Sequence, residues 1–417
     1  MNQYIICKIQ GIITSFLLEN DRAIEIHCDR EEDESILGNI YIGRIKNIAR
    51  NIGAAFVEIG PDQVCYLPLD DFLNPVYTQK GSSDRPQMGD ELFVQISREA
   101  IKTKYPSATT NLVFHGKYLL LTTGKTQISA SAKLSKTEKQ RLIELVKEIE
   151  EESEDFRTST SADTEKEADR KCGWLIRTNA EGADRLTLQK DMLRQLQTWR
   201  TLLKEGSHRN LYSCVLPRPH AWITRLTDLY ENSAERFLTD DRKIWQEAKE
   251  YLSICQPEDL SRLTLYQDTM QSLCKKYSLE KKLQDALSER VWLKSGGYLI
   301  IQPTEALTVI DVNTGKYEGN GKNRQKAFLK VNMEAAAEAA HQIRLRNISG
   351  IILIDFINMD AQEDNEELLK YLDGLLRNDP VRTVLVDMTR LSLVEITRMK
   401  KERPLYEHLD SFRKNQK

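Results

Sequence analysis

The chain has 417 residues, and its 60 Lys and Arg residues nearly balance its 63 Asp and Glu residues, leaving a net charge of −3. This length predicts two to four modules, and the overall charge gives no support for a nucleic-acid partner. No stretch is apolar enough to span a membrane, and the N-terminus lacks the pattern of a signal peptide, so we expect a cytoplasmic protein. The seven cysteines form no CxxC pair and the six histidines are scattered, which argues against zinc.

The first third of the chain is predicted to be rich in β-strands. Apolar and polar residues alternate over the first 35 residues, which indicates a hairpin with a turn near Asn20 and Asp21. From Asn39 to about Thr123, short strands alternate with Gly, Asn and Pro-Asp turns. That pattern is typical of a small β-barrel.

Aromatic and basic residues in the barrel segment raise the question of nucleic-acid binding. Barrels of the OB type stack single strands on exposed aromatic rings, and Tyr41, Phe56 and Tyr66 lie in the predicted strands. Arg44 and Lys46 share one strand face, because side chains alternate with a period of two, and could neutralise phosphates. The alternative is that the rings belong to the core and the basic residues form a solvated face.

The middle of the chain contains two predicted helices and one chemically notable strand. Helical spacing of apolar residues predicts helices over Lys136–Glu152 and from Arg185 to Lys204. Between them, an acidic polar stretch at 150–170 has no apolar period and indicates a solvated insertion. The strand GWLIRT ends on Arg177 and Thr178, a pair that could bind a terminal phosphate, although a surface arginine explains the same pattern.

The last part of the chain predicts a mixed α/β region. At 210–255 strand-like and helical patterns alternate, so the secondary-structure prediction is weak there. The following segments are predicted in order: helices over 257–286, two strands around a turn at 290–315, a helix over 323–347 between two strands, a capping box of Asp360 with Glu363 opening the next helix, a strand over 382–389 and a helix over 392–402.

Two apolar runs in this region each end on an aspartate. LTVID ends on Asp311, GIILID ends on Asp355, and both are predicted to be buried strands. A strand–helix–strand unit brings both strand ends to one edge of a sheet, where two carboxylates repel each other unless a cation neutralises them. With Asn313 nearby, the pattern predicts a Mg²⁺ or Mn²⁺ site. Two aspartates that cap helices or fix turns explain it equally well.

Several segments resemble the ribonuclease E/G family of bacterial endoribonucleases. TEALTVIDVNTGKY, NMEAAAEAAHQIRLRNISGIILIDFINM and TRLSLVEITRMK resemble the family's catalytic region. NIYIGRI, GAAFVEIG and YLPL resemble its embedded S1-type barrel, and GWLIRTNAEGA resembles its 5′-sensor strand. The matches occur in order from about Asn39 to Lys400.

The resemblance implies an α/β multi-subdomain fold. An RNase H-like subdomain would contain an inserted S1-type OB barrel and a 5′-sensor module, and a DNase I-like α/β subdomain would follow. The implied bounds are 1–36 and 210–288 for the RNase H-like parts, 37–123 for the barrel, 124–209 for the sensor module and 289–417 for the DNase I-like subdomain.

The resemblance also implies roles for individual residues. Asp311 and Asp355 match the family's Mg²⁺ ligands, and Asn313 matches the asparagine that supports them. Arg177 and Thr178 match the pair that recognises a 5′-monophosphate. The residues that would contact RNA are Tyr41, Phe56, Tyr66, Lys104 and Arg382.

Three departures from the family's pattern stand out. Asn358 replaces the second aspartate of the usual IDFIDM motif, so we expect a slower enzyme or a different ion preference. The family's zinc-link cysteines are missing after the predicted helix at 392–402, so no zinc is expected and a homodimer would form without a zinc link. The acidic insertion at 150–170 has no assigned role.

Together these features predict a Mg²⁺-dependent endoribonuclease that acts on single-stranded RNA, with Mn²⁺ as a second candidate ion. We expect stimulation by a 5′-monophosphate and a role in mRNA decay or in rRNA and tRNA processing. The alternative is a non-catalytic RNA-binding scaffold of the same fold, although such a scaffold has no need of both aspartates. A metal-dependent phosphatase or DNA nuclease is disfavoured by the RNA-type barrel.

Overall fold

The protein is described here from a computed structural model, which covers residues 2–29, 35–83, 85–100, 105–152, 172–206, 208–229, 234–268, 270–315, 322–389, 391–400 and 402–407. Lys104 and residues 153–170 of the predicted acidic insertion lie outside these ranges. The chain divides into two compact units. One comprises residues 1–31, 232–250 and 258–417, and the other comprises residues 32–231 and 251–257.

The helices are α1 (Lys136–Glu152), α2 (Arg185–Gly206), α3 (Ala221–Asp228), α4 (Arg242–Cys255), α5 (Leu273–Lys276), α6 (Leu279–Leu287), α7 (Lys322–Leu345) and α8 (Gln362–Leu376). The first eleven strands are β1 (Asn2–Ile9), β2 (Ile12–Glu19), β3 (Arg22–Asp29), β4 (Ile40–Ala49), β5 (Ala54–Gly60), β6 (Gln63–Pro68), β7 (Tyr77–Gln79), β8 (Glu91–Arg98), β9 (Ser107–Thr109), β10 (Val113–His115) and β11 (Leu119–Thr122). The remaining strands are β12 (Ile128–Ala130), β13 (Gly173–Ile176), β14 (Cys214–Leu216), β15 (Arg236–Thr239), β16 (Leu263–Leu265), β17 (Arg290–Trp292), β18 (Tyr298–Pro303), β19 (Leu307–Asn313), β20 (Gly350–Asp355), β21 (Thr383–Met388) and β22 (Leu393–Arg398).

A closed five-stranded barrel occupies the first part of the unit formed by residues 32–231 and 251–257. Its strands follow the order β4-β5-β6-β9-β8, and pairing of β8 with β4 closes the ring. This order, with β6 and β9 parallel, is consistent with an OB fold. The strands β10 and β11 lie within the predicted barrel domain 37–123; they pair with each other, and β11 also pairs with β13.

A four-stranded sheet of order β10-β11-β13-β12 completes this unit, with α1 and α2 packed on it. The predicted helix Lys136–Glu152 is confirmed, and it buries Leu142, Val146 and Ile149 at helical spacing. Ile42 and Phe93 of the barrel join the same hydrophobic cluster. One side of the barrel therefore packs against the four-stranded sheet, while the barrel has a second hydrophobic cluster of its own.

A five-stranded sheet in the other unit joins the N-terminus to a later part of the chain. Its order is β16-β15-β1-β2-β3, and β1 runs parallel to β15. The predicted hairpin is confirmed: Asn20 and Asp21 have φ of 48° and 66°, the left-handed conformation that a tight hairpin turn requires. The unit that begins at residue 1 resumes at residue 232, whereas the sequence predicts that the second RNase H-like part begins at residue 210. The RNase H-like assignment stays a prediction.

The six-stranded sheet of order β17-β18-β19-β20-β22-β21 carries the two strand-end aspartates. The helices α7 and α8 cover one face, where Ile310, Ile352 and Ile354 pack against apolar helix residues. The other face of β20 is not covered in the same way, since Ile351 is 49% exposed. The prediction that both runs are fully buried is therefore wrong for β20. The DNase I-like assignment stays a prediction.

Two local predictions in this region are wrong. Residues of the predicted helix at 392–402 form the strand β22, in which Val394, Ile396 and Arg398 alternate as buried residues. The helix α8 begins after Ala361 without a side-chain cap. Asp360, the predicted cap, instead accepts a hydrogen bond from Gln325 at 2.6 Å. None of the described helices combines the length and apolar character needed to cross a membrane.

Candidate metal centre and anion site

Asp311 and Asp355 lie side by side at the carboxyl ends of two parallel strands. The strands β19 and β20 pair in register, with Ile310 opposite Ile354 and Asp311 opposite Asp355. Neighbouring strands are about 4.8 Å apart and register partners point to the same face, so the two carboxylates share one small area of the sheet. The predicted strand–helix–strand unit, with α7 as the connection, is confirmed.

The electrostatics of this pair favour a bound cation. Burial raises the pKa of Asp355, and the negative charge of Asp311 raises it further. Asn313 donates a hydrogen bond from Nδ2 to Oδ2 of Asp311 at 2.7 Å and leaves the other carboxylate oxygen available. These are hard oxygen ligands, which suit Mg²⁺ or Mn²⁺ better than zinc.

The donor set is small. Among the described residues, no group of three or more His, Cys, Asp and Glu side chains is arranged to hold a metal. Asn358, which stands where the related motif has an aspartate, is exposed in the loop after β20. A metal at Asp311 and Asp355 would therefore complete its shell with water and substrate oxygens, as Mg²⁺ commonly does.

Asn332 fixes the loop that follows Asp355, and the sequence analysis missed it. This fully buried residue of α7 donates from Nδ2 to the carbonyl oxygen of Ile357 at 2.8 Å and accepts from the Ile357 N–H at 3.0 Å. The two bonds tie the loop to the helix beneath it. The available signal was an asparagine on an otherwise apolar helix face.

Arg382 is not near the carboxylates. Its carbonyl oxygen accepts from the Met399 N–H at one end of the β21–β22 pair, whereas Asp355 pairs with Leu393 at the other end of β22. Six residues of extended strand separate these positions, which corresponds to about 20 Å. Its predicted contact with RNA would thus lie far from the paired aspartates.

The barrel aromatics form a cluster that includes one residue not found from the sequence. Phe56 and Tyr66 are register partners, with edge-to-face rings 6.1 Å apart. Tyr105 lies 5.9 Å from Phe56 and is 56% exposed. Tyr41 lies elsewhere: it packs against the core cluster of the barrel, and its hydroxyl accepts from Asn39 Nδ2 at 3.1 Å.

Two basic residues of the barrel, Arg44 and Lys46, already have acidic partners. Arg44 pairs with Glu91 at 2.7 Å, and Lys46 pairs with Glu58 at 2.7 Å. These exposed pairs contribute little to stability and could open to meet a phosphate.

Arg177 lies at the end of β13 with both guanidinium Nη atoms engaged. Nη1 donates to the carbonyl oxygen of Gly116 at 2.8 Å, and Nη2 donates to Oδ1 of Asp228 at 2.8 Å. The neighbouring Thr178 hydroxyl hydrogen-bonds with that of Ser131 at 2.9 Å. Arg177 and Thr178 are neighbours in the chain, and the Asp228 carboxylate is already paired with the Arg177 guanidinium.

The turn that supplies Gly116 is held by a buried carboxylate. Asp191 of α2 accepts hydrogen bonds from the backbone N–H groups of Lys117, Tyr118 and Leu119 at 3.0–3.3 Å. Burial raises the pKa of Asp191, and these backbone bonds act in the opposite direction. A Cβ on Gly116 would lie 2.5 Å from Asp191 Oδ2, so a larger residue here would displace the carboxylate that holds the turn.

Comparison with known proteins identifies relatives that match most of the chain. The family model described as "Ribonuclease E/G family" matches residues 113–401. "Ribonuclease G" of Haemophilus influenzae is 31% identical over 403 residues, covering 94% of this chain and 78% of that protein. "Ribonuclease G" of Escherichia coli K12 is 32% identical, covering 92% and 77%. "Ribonuclease E" of Nostoc sp. is 32% identical, covering 89% of this chain and 52% of that protein.

Proposed function

The chain belongs to the ribonuclease E/G family, and from that premise we propose that it is an endoribonuclease that hydrolyses single-stranded RNA at a Mg²⁺ ion held by Asp311 and Asp355. The observation that carries the proposal is the in-register pairing of these two aspartates on adjacent parallel strands. In the cell, we assign the enzyme to mRNA decay or to rRNA and tRNA processing in the cytoplasm.

The residues of the proposed centre have distinct tasks. Asp311 and Asp355 would hold the ion, with Mn²⁺ as the second candidate. When bound, the ion supplies Lewis-acid chemistry that activates water and stabilises charge on the phosphodiester, giving 5′-phosphate and 3′-hydroxyl ends. Asn313 orients the Asp311 carboxylate, and Asn332 holds the backbone that follows Asp355. Both are positioning residues.

The barrel supplies a surface for the substrate. Phe56, Tyr66 and Tyr105 form an aromatic cluster on which unpaired bases can stack, and each stacked base contributes about 1–3 kcal/mol. Such stacking is tolerant of sequence but requires unpaired bases. This favours single-stranded RNA over a duplex.

Arg177 and Thr178 form the proposed site for a 5′-monophosphate. The phosphate would replace Asp228 as the anion beside Arg177, while the bond from Arg177 to Gly116 stays in place. A terminal phosphate bound here adds a second tethered contact to the one at the cleavage centre, which raises the affinity for 5′-monophosphorylated RNA.

A cleavage assay tests the proposed centre. The substrate is a 5′-monophosphorylated, fluorescent single-stranded RNA, and wild type is compared with Asp311→Asn in Mg²⁺, in Mn²⁺ and in EDTA. We expect cleavage by wild type only with metal, and a loss of about 10³-fold in the variant, because several kcal/mol of transition-state stabilisation disappear. Asp373→Asn, the same change on the exposed side of α8, is the matched control and should leave the rate unchanged.

The second candidate function is a non-catalytic RNA-binding scaffold. It predicts equal and negligible turnover by wild type and Asp311→Asn in every metal, together with unchanged RNA binding. That result would reject the enzymatic proposal while leaving the aromatic surface of the barrel as an RNA site.

A further inference from the structure

Three residues at the edge of the six-stranded sheet form a stacked group, here named the Trp292 cluster: Arg290, Trp292 and Tyr298. The indole and phenol rings meet edge to face at 5.2 Å. The Arg290 guanidinium lies over both rings, 4.6 Å from the centre of Tyr298 and 5.7 Å from that of Trp292. Exposed cation–π contacts of this kind contribute about 0.5–1 kcal/mol each, so they favour this arrangement before any ligand binds.

The register places this cluster on the same sheet face as the paired aspartates. On β18, Tyr298 lies opposite Asn313 and Ile300 lies opposite Asp311. On β17, Trp292 lies opposite Tyr298, so the same face continues to the sheet edge. With neighbouring strands about 4.8 Å apart, Trp292 is roughly 10 Å from β19.

Packing does not account for Trp292. The side chain is 64% exposed, although tryptophan gains more than most residues from burial. The flat exposed indole beside a guanidinium combines a stacking surface for a base with a positive charge for its phosphate. The same combination is suited to single-stranded RNA, and the surface is continuous with the proposed cleavage centre.

We propose that the Trp292 cluster is an RNA subsite in which Trp292 stacks on the base of a nucleotide flanking the scissile phosphate and Arg290 pairs with that nucleotide's phosphate. This rests on the proposed function, because it takes Asp311 and Asp355 as the place of cleavage. Tyr298 is a positioning residue that supports the indole and the guanidinium. The subsite selects for an unpaired nucleotide next to the cut.

Binding is tested first in the Asp311→Asn background, where RNA is not consumed. The probe is a fluorescent single-stranded RNA with a 5′-hydroxyl, so that Arg177 adds no phosphate contact. Trp292→Ala should weaken the binding about tenfold, within the range for loss of one stacked base. Trp292→Phe should retain most of the affinity. The control Tyr371→Ala removes an aromatic side chain that is 39% exposed on α8, and it should change nothing.

Abasic substitution then locates the nucleotide. Wild type is given a series of RNAs, each with one abasic position near the cut, and kcat/KM should fall at one flanking position. In Trp292→Ala, the abasic and intact RNAs should be cleaved equally at that position. Thermal unfolding and circular dichroism confirm that the variants are folded.

Unchanged binding by Trp292→Ala, or the same abasic profile in wild type and variant, would overturn the subsite. Full retention of affinity by Trp292→Leu would do so as well, since leucine keeps apolar area without a stacking plane and would indicate a protein-docking patch. Failure of the proposed function looks different, because wild type and Asp311→Asn would then show the same absence of cleavage.

Discussion

The candidate metal centre and the candidate phosphate site differ in whether their charged side chains are already paired with an opposite charge. Asp311 and Asp355 stand together, and within the described residues neither forms an ion pair. Arg177 is already paired with Asp228. The candidate metal centre would therefore be completed by adding a positive charge, whereas the candidate phosphate site would exchange one anion for another. This difference predicts strong dependence on the metal and modest dependence on the 5′ end.

The largest effect should come from removing both aspartates. If Asp311 and Asp355 hold one ion, Asp311→Asn and Asp355→Asn should each lower the single-turnover cleavage rate by about 10³-fold, and the double variant should fall little further. Rates are measured at saturating Mg²⁺. Losses that multiply in the double variant would show that the two carboxylates act independently.

A smaller effect is expected from Asn332, whose hydrogen bonds hold the loop after Asp355. Asn332→Ala leaves the N–H and carbonyl of Ile357 without their partner, which should lower the free energy of unfolding by about 2 kcal/mol and reduce cleavage. The free energy of unfolding is measured by urea denaturation, which is followed at two wavelengths. Asn365→Ala, which removes two longer backbone bonds on α8, is the control and should cost less. An equal loss of unfolding free energy in the two variants would mean that the loop after Asp355 does not depend on Asn332.

The smallest effects should appear at the phosphate site, and they should have opposite signs. Arg177→Ala should reduce the preference for a 5′-monophosphate over a 5′-hydroxyl, because its guanidinium is lost. Asp228→Asn should raise that preference about two- to fivefold, since an exposed ion pair no longer competes with the phosphate. The measurement is the ratio of kcat/KM for the two substrates. If neither variant alters the ratio, Arg177 has no part in recognising the 5′ end.

The sequence was most informative where one local pattern decided the structure. The adjacency of Asp311 and Asp355 followed from two apolar runs and a helix of crossover length, because parallel pairing leaves few alternatives. The limits of α1 followed from apolar residues at helical spacing, which needed no information from distant parts of the chain.

Other features depended on partners that are distant in the sequence. β22 was predicted to be a helix, since the inward-facing Arg398 hides its alternation. The burial of this arginine is supported by Asp379, which pairs with it at 2.7 Å, and by hydrogen bonds that it donates to Asn347 Oδ1 and to the carbonyl oxygen of Ile348. Tyr41 was grouped with Phe56 because both are strand aromatics. Only the closed barrel distinguishes the side that packs on its core from the side that carries Phe56 and Tyr66.

The position of β1 has a consequence for synthesis of the chain. β1 lies between β2 and β15, but β15 begins at Arg236, so one edge of β1 has no partner until more than half of the chain has been made. At roughly 5–20 residues per second, this delay is on the order of ten seconds or more. During that time the N-terminal hairpin presents an unpaired strand edge, the kind of surface on which nascent chains aggregate. A ribosome-bound chaperone that shields the first thirty residues would therefore improve the yield of this protein more than one that acts after release.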